Sequence, residues 1–258
     1  MDQFIYKKQS EIMALSAHLS DFSYKRHSHE EYAIGVTLSG IQQYHLKGAL
    51  LSSHRNGIML FNPEQPHDGS AYDKTGIDYV MLYIHPQLMM EILGKKEPIL
   101  FNEPIVYNSK LESKILNLTK AVLNHEEDAL CSDLLMQVAE GVSQMEINYN
   151  YKKEPSLIKK SKKIITSNYS GVLKLEDLSN EFGMSKFQFI RAFKEATGIS
   201  PYQYFLNSKI EYARRLIEEK KDVYTAIEAC GFTDISHLNK HFKNVYGITA
   251  FEYMTHMS

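Results

Sequence analysis

His27-Ser28-His29, read as part of a strand, sets two imidazoles on one face, and Pro63-Glu64-Gln65-Pro66-His67 can bring a third from a neighbouring strand. Three histidines around an open position could hold a catalytic metal ion. The preferred alternative is that the rings hydrogen-bond at the mouth of a barrel, with no metal and no cofactor. Tyr24, Arg26, Tyr32, Tyr44, Phe61 and Tyr83 fall in the same stretch. With His27, His29 and His67 they could line a concave, mostly apolar ligand site with a few orienting polar groups. An Arg among several His suits a carboxylate, although the strand register that turns each side chain inward is not fixed by sequence.

A second set lies near the other end of the chain. Lys186, Phe187, Ile190, Arg191 and Lys194 share the outer face of one expected helix, and Ile235, Ser236, Asn239, Lys240 and Lys243 that of another. Arg191 can bond a guanine bidentately, Asn239 an adenine, and Phe187 or Ile235 can touch a thymine methyl. Lys194, Lys243 and the lysines of an earlier helix, Lys159, Lys160, Lys162 and Lys163, are suited to phosphate.

The elements that must position these groups follow from a repeat. Ser185, Phe189, Phe193, Lys194, Gly198, Ile199, Ser200 and Tyr204 recur after 49 residues as Asp234, Leu238, Phe242, Lys243, Gly247, Ile248, Thr249 and Tyr253. Each copy has a capping residue, apolar positions at i, i+4 and i+8, and a closing Gly, which predicts a helix-turn-helix written twice. Leu175, Leu178 and Phe182 mark the first positioning helix, and Val223, Ala226, Ile227 and Cys230 the second. A helix over 201–220 joins the copies. Upstream, Ser156 is expected to cap a helix to about Asn168 with Ile158, Ile164 and Ile165 inward, and residues 149–155, ending in Pro155, read as a linker.

Residues 22–107 read as short strands, including Tyr32–Ser39, Ile41–Leu46, Gly57–Phe61 and Tyr79–Ile84, which favours a sandwich or small barrel. Over 109–147 the period changes to two helices, with stripes at Leu111, Ile115, Leu118, Val122 and at Leu130, Leu134, Val138, Val142, Met145. These stripes either pack on the barrel or pair with a second subunit. The 258 residues carry a net charge of −2. Residues 1–150 hold 12 Lys and Arg against 19 Asp and Glu, a net of −7, whereas 151–258 hold 17 against 12, a net of +5. Only the back part is expected to meet a polyanion. The isolated Cys131 and Cys230 read as buried thiols, no apolar run reaches membrane-spanning length, and the N-terminus lacks a leader-like h-region, so a cytoplasmic protein is expected.

Residues 158–254 resemble the DNA-binding domain of AraC-type transcription regulators. The resemblance is carried by Gly231-Phe232-Thr233-Asp234, Phe242-Lys243 and Gly247-Ile248-Thr249, and in the first copy by Leu178, Ser185, Phe193-Lys194, Gly198-Ile199-Ser200-Pro201 and Tyr204. Ala250 stands where that family usually has Pro, and His237-Leu238 where Tyr-Phe is frequent. His27-x-His29, Gly40, Gly57 and Pro63-x-x-Pro66-His67 are similar to the cupin-like barrel that precedes this domain in many such regulators. A metal-binding cupin adds a Glu four or five residues after the second His, where this chain has Ala33 and Ile34. The resemblance implies an α+β, two-domain protein: a cupin-like β-barrel with a helical hairpin (1–148) for effector binding and dimerisation, and an all-α domain with two helix-turn-helix units (156–258). It implies a non-enzymatic activator on double-stranded promoter DNA, a small-molecule effector, contact with RNA polymerase and a homodimer through 109–147. The alternatives are a metal-dependent cupin enzyme addressed to DNA and a structural DNA-bending protein.

Overall fold

The computed structural model describes residues 1–9, 11–144 and 154–257. The expected Met145 contact and most of the expected linker lie outside them. The N-terminal part is built of two antiparallel sheets. The larger runs β1 (Gln3–Gln9), β2 (Ile12–Leu19), β9 (Ile77–Ile84), β4 (Tyr32–Ser39), β7 (Ile58–Phe61) and β10 (Ile105–Val106) in spatial order. The smaller runs β3 (Ser23–His27), β8 (His67–Ala71), β5 (Gln42–Leu46) and β6 (Ala49–Ser53). Strands β1 and β2 were not expected from sequence. Helix α1 (Pro86–Leu93) interrupts the stretch read as strands, with Pro86 at its first turn, His85 accepting the amide of Gln87, and Gly94 closing it in the left-handed region.

Strand β4 explains why its sequence is apolar on both faces. Tyr32, Ile34 and Val36 join a core beneath the helical hairpin α2 (Ser109–Leu123) and α3 (Asp128–Ser143), whereas Ala33 points into the barrel with Met59, Phe61 and Met81. Helix α2 buries Leu111, Ile115, Leu118 and Val122 as expected. The α3 stripe is rotated by about one residue: Cys131, Leu135, Val138 and Val142 are buried, and Leu130 stands 45% exposed.

The C-terminal part holds α4 (Ser156–Ile165), α5 (Leu175–Asn180), α6 (Lys186–Thr197), α7 (Pro201–Lys220), α8 (Val223–Cys230), α9 (Ile235–Tyr246) and α10 (Ala250–His256). Helix α4 stops three residues before Asn168 and is capped without a side chain, Pro155 preceding it; Ile164 is 38% exposed while Ile158 and Ile165 are buried. The first helix-turn-helix has its own core of Ile158, Ile165, Leu178, Phe189, Phe193 and Tyr204. The second shares the barrel's core: Phe4, Tyr6, Met13 and Tyr79 are continuous with Ile210, Phe242, Tyr246 and Tyr253. Cys131 and Cys230 are buried free thiols, and burial pushes the Cys230 thiol up to about 12. Among the described residues no helix is long and apolar enough to cross a membrane.

Candidate DNA-reading surface and effector site

Each reading helix is started and stopped by its own residues. Ser185 opens α6 with a reciprocal capping box to Gln188, and Asp234 opens α9 by accepting the amide of His237 at 2.8 Å. Gly198 and Gly247 close them at φ of 81° and 77°. Those closing turns rest on the barrel. A Cβ added to Gly198 would meet the Pro66 and Arg26 side chains at 3.4–3.5 Å, and one on Gly247 would collide with the Phe4 ring. The barrel therefore holds both reading helices at their C-terminal ends and leaves their N-terminal ends free.

On α6, Phe187 is 66% exposed, Arg191 and Lys194 are exposed, Ile190 is half-buried, and Lys186 pairs with Glu176 at 3.1 Å. On α9, Ser236, Lys240 and Lys243 are exposed and Ile235 is partly buried against the shared core. Asn239 departs from the adenine-reading role expected of it. Its Oδ1 accepts the backbone N–H of Ala250 at 2.9 Å, so the side chain is spent on starting α10. Lys162 also departs from the expected outward position: it points at the barrel, with its ammonium 2.5 Å from Glu64 and 2.6 Å from Glu154.

Most of the expected effector residues meet inside the barrel. The Tyr24 and Tyr79 hydroxyls are 2.7 Å apart, Phe61 stacks on His67, Tyr44 packs on Phe61, and Tyr83 lies edge-on to His29. Tyr32 is one of two exceptions, Arg26 being the other: it lies on the other face of β4 and donates its hydroxyl to the Ile99 carbonyl. Arg26 points to the junction between the domains, where a cleft of about 600 Å³ is lined by Arg26, Lys47, Pro63, Pro66 and Glu64 from the barrel and by Lys162, Glu195, Ile199 and Tyr204 from the helical domain.

The three histidines gather as their spacing predicted. His27 and His67 are register partners across β3 and β8, and His29 follows in the loop. Burial pushes His27 down to about 4, aided by the neighbouring His29, and holds His29 and His67 below the usual imidazole range. Their Nδ1 atoms lie 2.7, 3.0 and 2.8 Å from the backbone carbonyls of Lys25, Glu31 and Gln65.

A junction network was missed by sequence. Arg214 of α7, 6% exposed, reaches Glu31 of the barrel at 2.5 Å, Glu211 at 3.1 Å and Glu218 at 2.8 Å. Tyr246 donates to Glu211, Tyr253 to Glu218, and Lys8 pairs with Glu218. Burial works to raise the Glu31 carboxyl, but the Arg214 guanidinium overcomes it and holds Glu31 below its ordinary value. Glu211, deeper and opposed by the other carboxylates, is pushed up to about 7. The Glu211-x-x-Arg214-x-x-x-Glu218 spacing within an apolar stripe is the signal that could have found this cluster.

Residues 10–139 match the family model of the AraC-like ligand binding domain, and residues 178–256 that of a helix-turn-helix domain. The chain belongs to the AraC family: it is a DNA-binding transcription regulator with an N-terminal ligand-binding domain of cupin-like fold. The uncharacterized HTH-type transcriptional regulator YbfI of Bacillus subtilis is 24% identical over 224 residues, which cover 83% of this chain and 81% of that one. The multiple antibiotic resistance protein MarA of Escherichia coli is 35% identical over 95 residues, covering 36% of this chain and 75% of MarA. A lysine-to-alanine variant of ToxT from Vibrio cholerae, in its apo form, shares the fold over 98% of this chain and 100% of its own, with a TM-score of 0.66 and 13% identity. A ToxT structure with bound unsaturated fatty acid covers 96% of both chains, with a TM-score of 0.61 and 11% identity.

Proposed function

We propose that this regulator is a homodimeric activator controlled by a small apolar carboxylate taken up in the cleft between its two domains. The observation that carries this reading is that the cleft is walled by both domains, beside the turn that closes α6. A ligand touching both walls has different contacts in each relative setting of the domains, which is the condition for shifting their populations. Arg26 and Lys47 supply positive charge, and Pro63, Pro66 and Ile199 supply apolar surface. ToxT, which shares the fold, has been seen with an unsaturated fatty acid. Inside the barrel the rings of Tyr6, Tyr44 and Phe61 are buried to 2% exposure or less, whereas the cleft at the junction measures about 600 Å³.

Dimerisation through residues 109–147 is supported by the exposed Leu130 and Met136 on α3. Arg191 and Lys240 occupy equivalent slots on α6 and α9 and read bases, with Phe187, Ile190, Ile235 and Ser236 beside them. Lys194 and Lys243 take phosphate, and activation follows from contact with RNA polymerase on the bound promoter. Titration of the full chain with a long-chain unsaturated fatty acid, followed by promoter-DNA affinity, tests the effector reading. A change of at least fivefold with the acid, absent with the matching alcohol and reduced in Arg26→Ala, is expected. Equal responses to acid and alcohol, or none, would contradict it.

A further inference from the structure

We propose that His27, His29 and His67 form a binding site for one divalent transition-metal ion, zinc fitting best, whose occupancy is felt by the DNA-binding domain. One ring nitrogen of each histidine lies within 4.8 Å of one from each of the others, and all three residues are buried. A carbonyl oxygen has no proton to give, so each Nδ1 bonded to Lys25, Glu31 or Gln65 must be the donor. A neutral ring fixed in that tautomer carries its lone pair on Nε2. No described residue hydrogen-bonds any of the three Nε2 atoms. Orientation of a ligating imidazole by a backbone carbonyl on its other nitrogen is what metal sites require of their surroundings.

The donor set selects the ion. Three nitrogens with no carboxylate or thiolate suit zinc and its neighbours, at bond lengths of about 2.0–2.1 Å, with a fourth position left for water. Calcium and magnesium ask for oxygen donors and do not fit. Phe61 stacked on His67 at 4.3 Å and Tyr83 edge-on to His29 at 5.3 Å wall the site with aromatic rings. Metal-bond lengths would draw the three rings together by small rotations, and His67 and His27 already face each other across a β3–β8 register pair.

The route to DNA is short. The Nδ1–H of His29 donates to the Glu31 carbonyl, and the Glu31 carboxylate holds Arg214 of α7. Its neighbour Glu30 holds Arg215 at 2.5 Å. An ion that fixes the His29 ring fixes the segment that seats the DNA-binding domain, whether or not a carboxylate occupies the cleft.

The test uses untagged full-length chain, purified without metal resins, stripped with chelator and titrated with Zn²⁺. One equivalent should bind, and Co²⁺ should give the visible absorption of a low-coordinate nitrogen site. His27→Gln and His67→Gln, each checked for folding by circular dichroism, should lose at least tenfold in affinity, whereas His45→Gln, half-exposed on β5, should not. Promoter affinity should differ at least fivefold between zinc-loaded and stripped chain. Binding well below one equivalent, or stoichiometric binding unchanged in folded His27→Gln and His67→Gln, would overturn the site. Equal promoter affinity of loaded and stripped chain would overturn the link to DNA.

Discussion

Pro201 and Ala250 occupy the same place in the two copies of the repeat, at the first position of a helix preceded by Ser200 and Thr249 with identical φ and ψ of −70° and 158°. Pro201 has no N–H to satisfy, and the residue eleven positions before it is the apolar Ile190. Ala250 has an N–H, and the residue equivalent to Ile190 is Asn239, which accepts it. The substitution for proline is thus compensated in the same copy, and the side chain that looks like a base reader is part of the scaffold. Asn239→Ala should cost about 1 kcal/mol in chemical denaturation. Adding Ala250→Pro should recover most of that, since the extended backbone before it already suits proline; a double variant no more stable than the single one would contradict the pairing. The histidines give a pH dependence. In chelator-containing buffer His27 titrates near 4 when folded, against 6.5 for an imidazole in water, so its contribution is complete above pH 6.5 and is lost as pH falls toward 4. Glu211, raised to about 7 from 4.5, acts in the opposite sense, its contribution lost as pH rises through that window. His27→Gln should flatten the acid-side loss of stability below pH 6.5, and an unchanged slope would refute the assignment.

At the scale of elements, α6 and α9 were legible because capping residue, apolar spacing and closing glycine agree with one another twice. Agreement between local signals is what lets a short segment specify its structure. Strand β4 was legible for its apolar run, but not the fact that its two faces serve different cores. Strands β1 and β2 escaped because much of what buries them is remote: Phe4 rests under Gly247, and the Tyr6 hydroxyl donates to the Tyr246 carbonyl. Helix α1 escaped because eight residues within a strand-rich stretch give little periodicity to read. Removing Arg191 by Arg191→Ala should cost roughly 1–3 kcal/mol on the cognate site and relax specificity at one base pair. Lys194→Ala should weaken cognate and random DNA alike and lower the salt slope by about one. Equal losses on both DNAs for Arg191→Ala would remove it from the base readers.

For the whole molecule, the decisive contacts join residues about 180–250 positions apart, and no local pattern announces them. The sequence placed histidines and a reading surface at opposite ends of the chain. The fold brings the loop after β3 against α7, so that one buried arginine is shared by carboxylates from both domains. Removing it strands those charges: Arg214→Ala should destabilise the chain by about 3–5 kcal/mol. Arg215→Ala, which breaks a pair with both side chains at least 40% exposed, should cost under about 1 kcal/mol. Equal effects in thermal or chemical unfolding would show that burial does not set the strength of this junction. The shared core also means that the second reading head cannot move without disturbing the barrel, while the first, with its own core, is held mainly through the cleft and Lys162. In the proposed function, one chain presents two unlike reading helices to successive turns of one DNA face. Hydroxyl-radical footprinting of the regulator on a promoter it binds tests that arrangement. Each chain should protect two windows about one helical turn apart, with Arg191→Ala weakening one and Lys240→Ala the other. A single window per chain, or the same window weakened by both substitutions, would contradict the account.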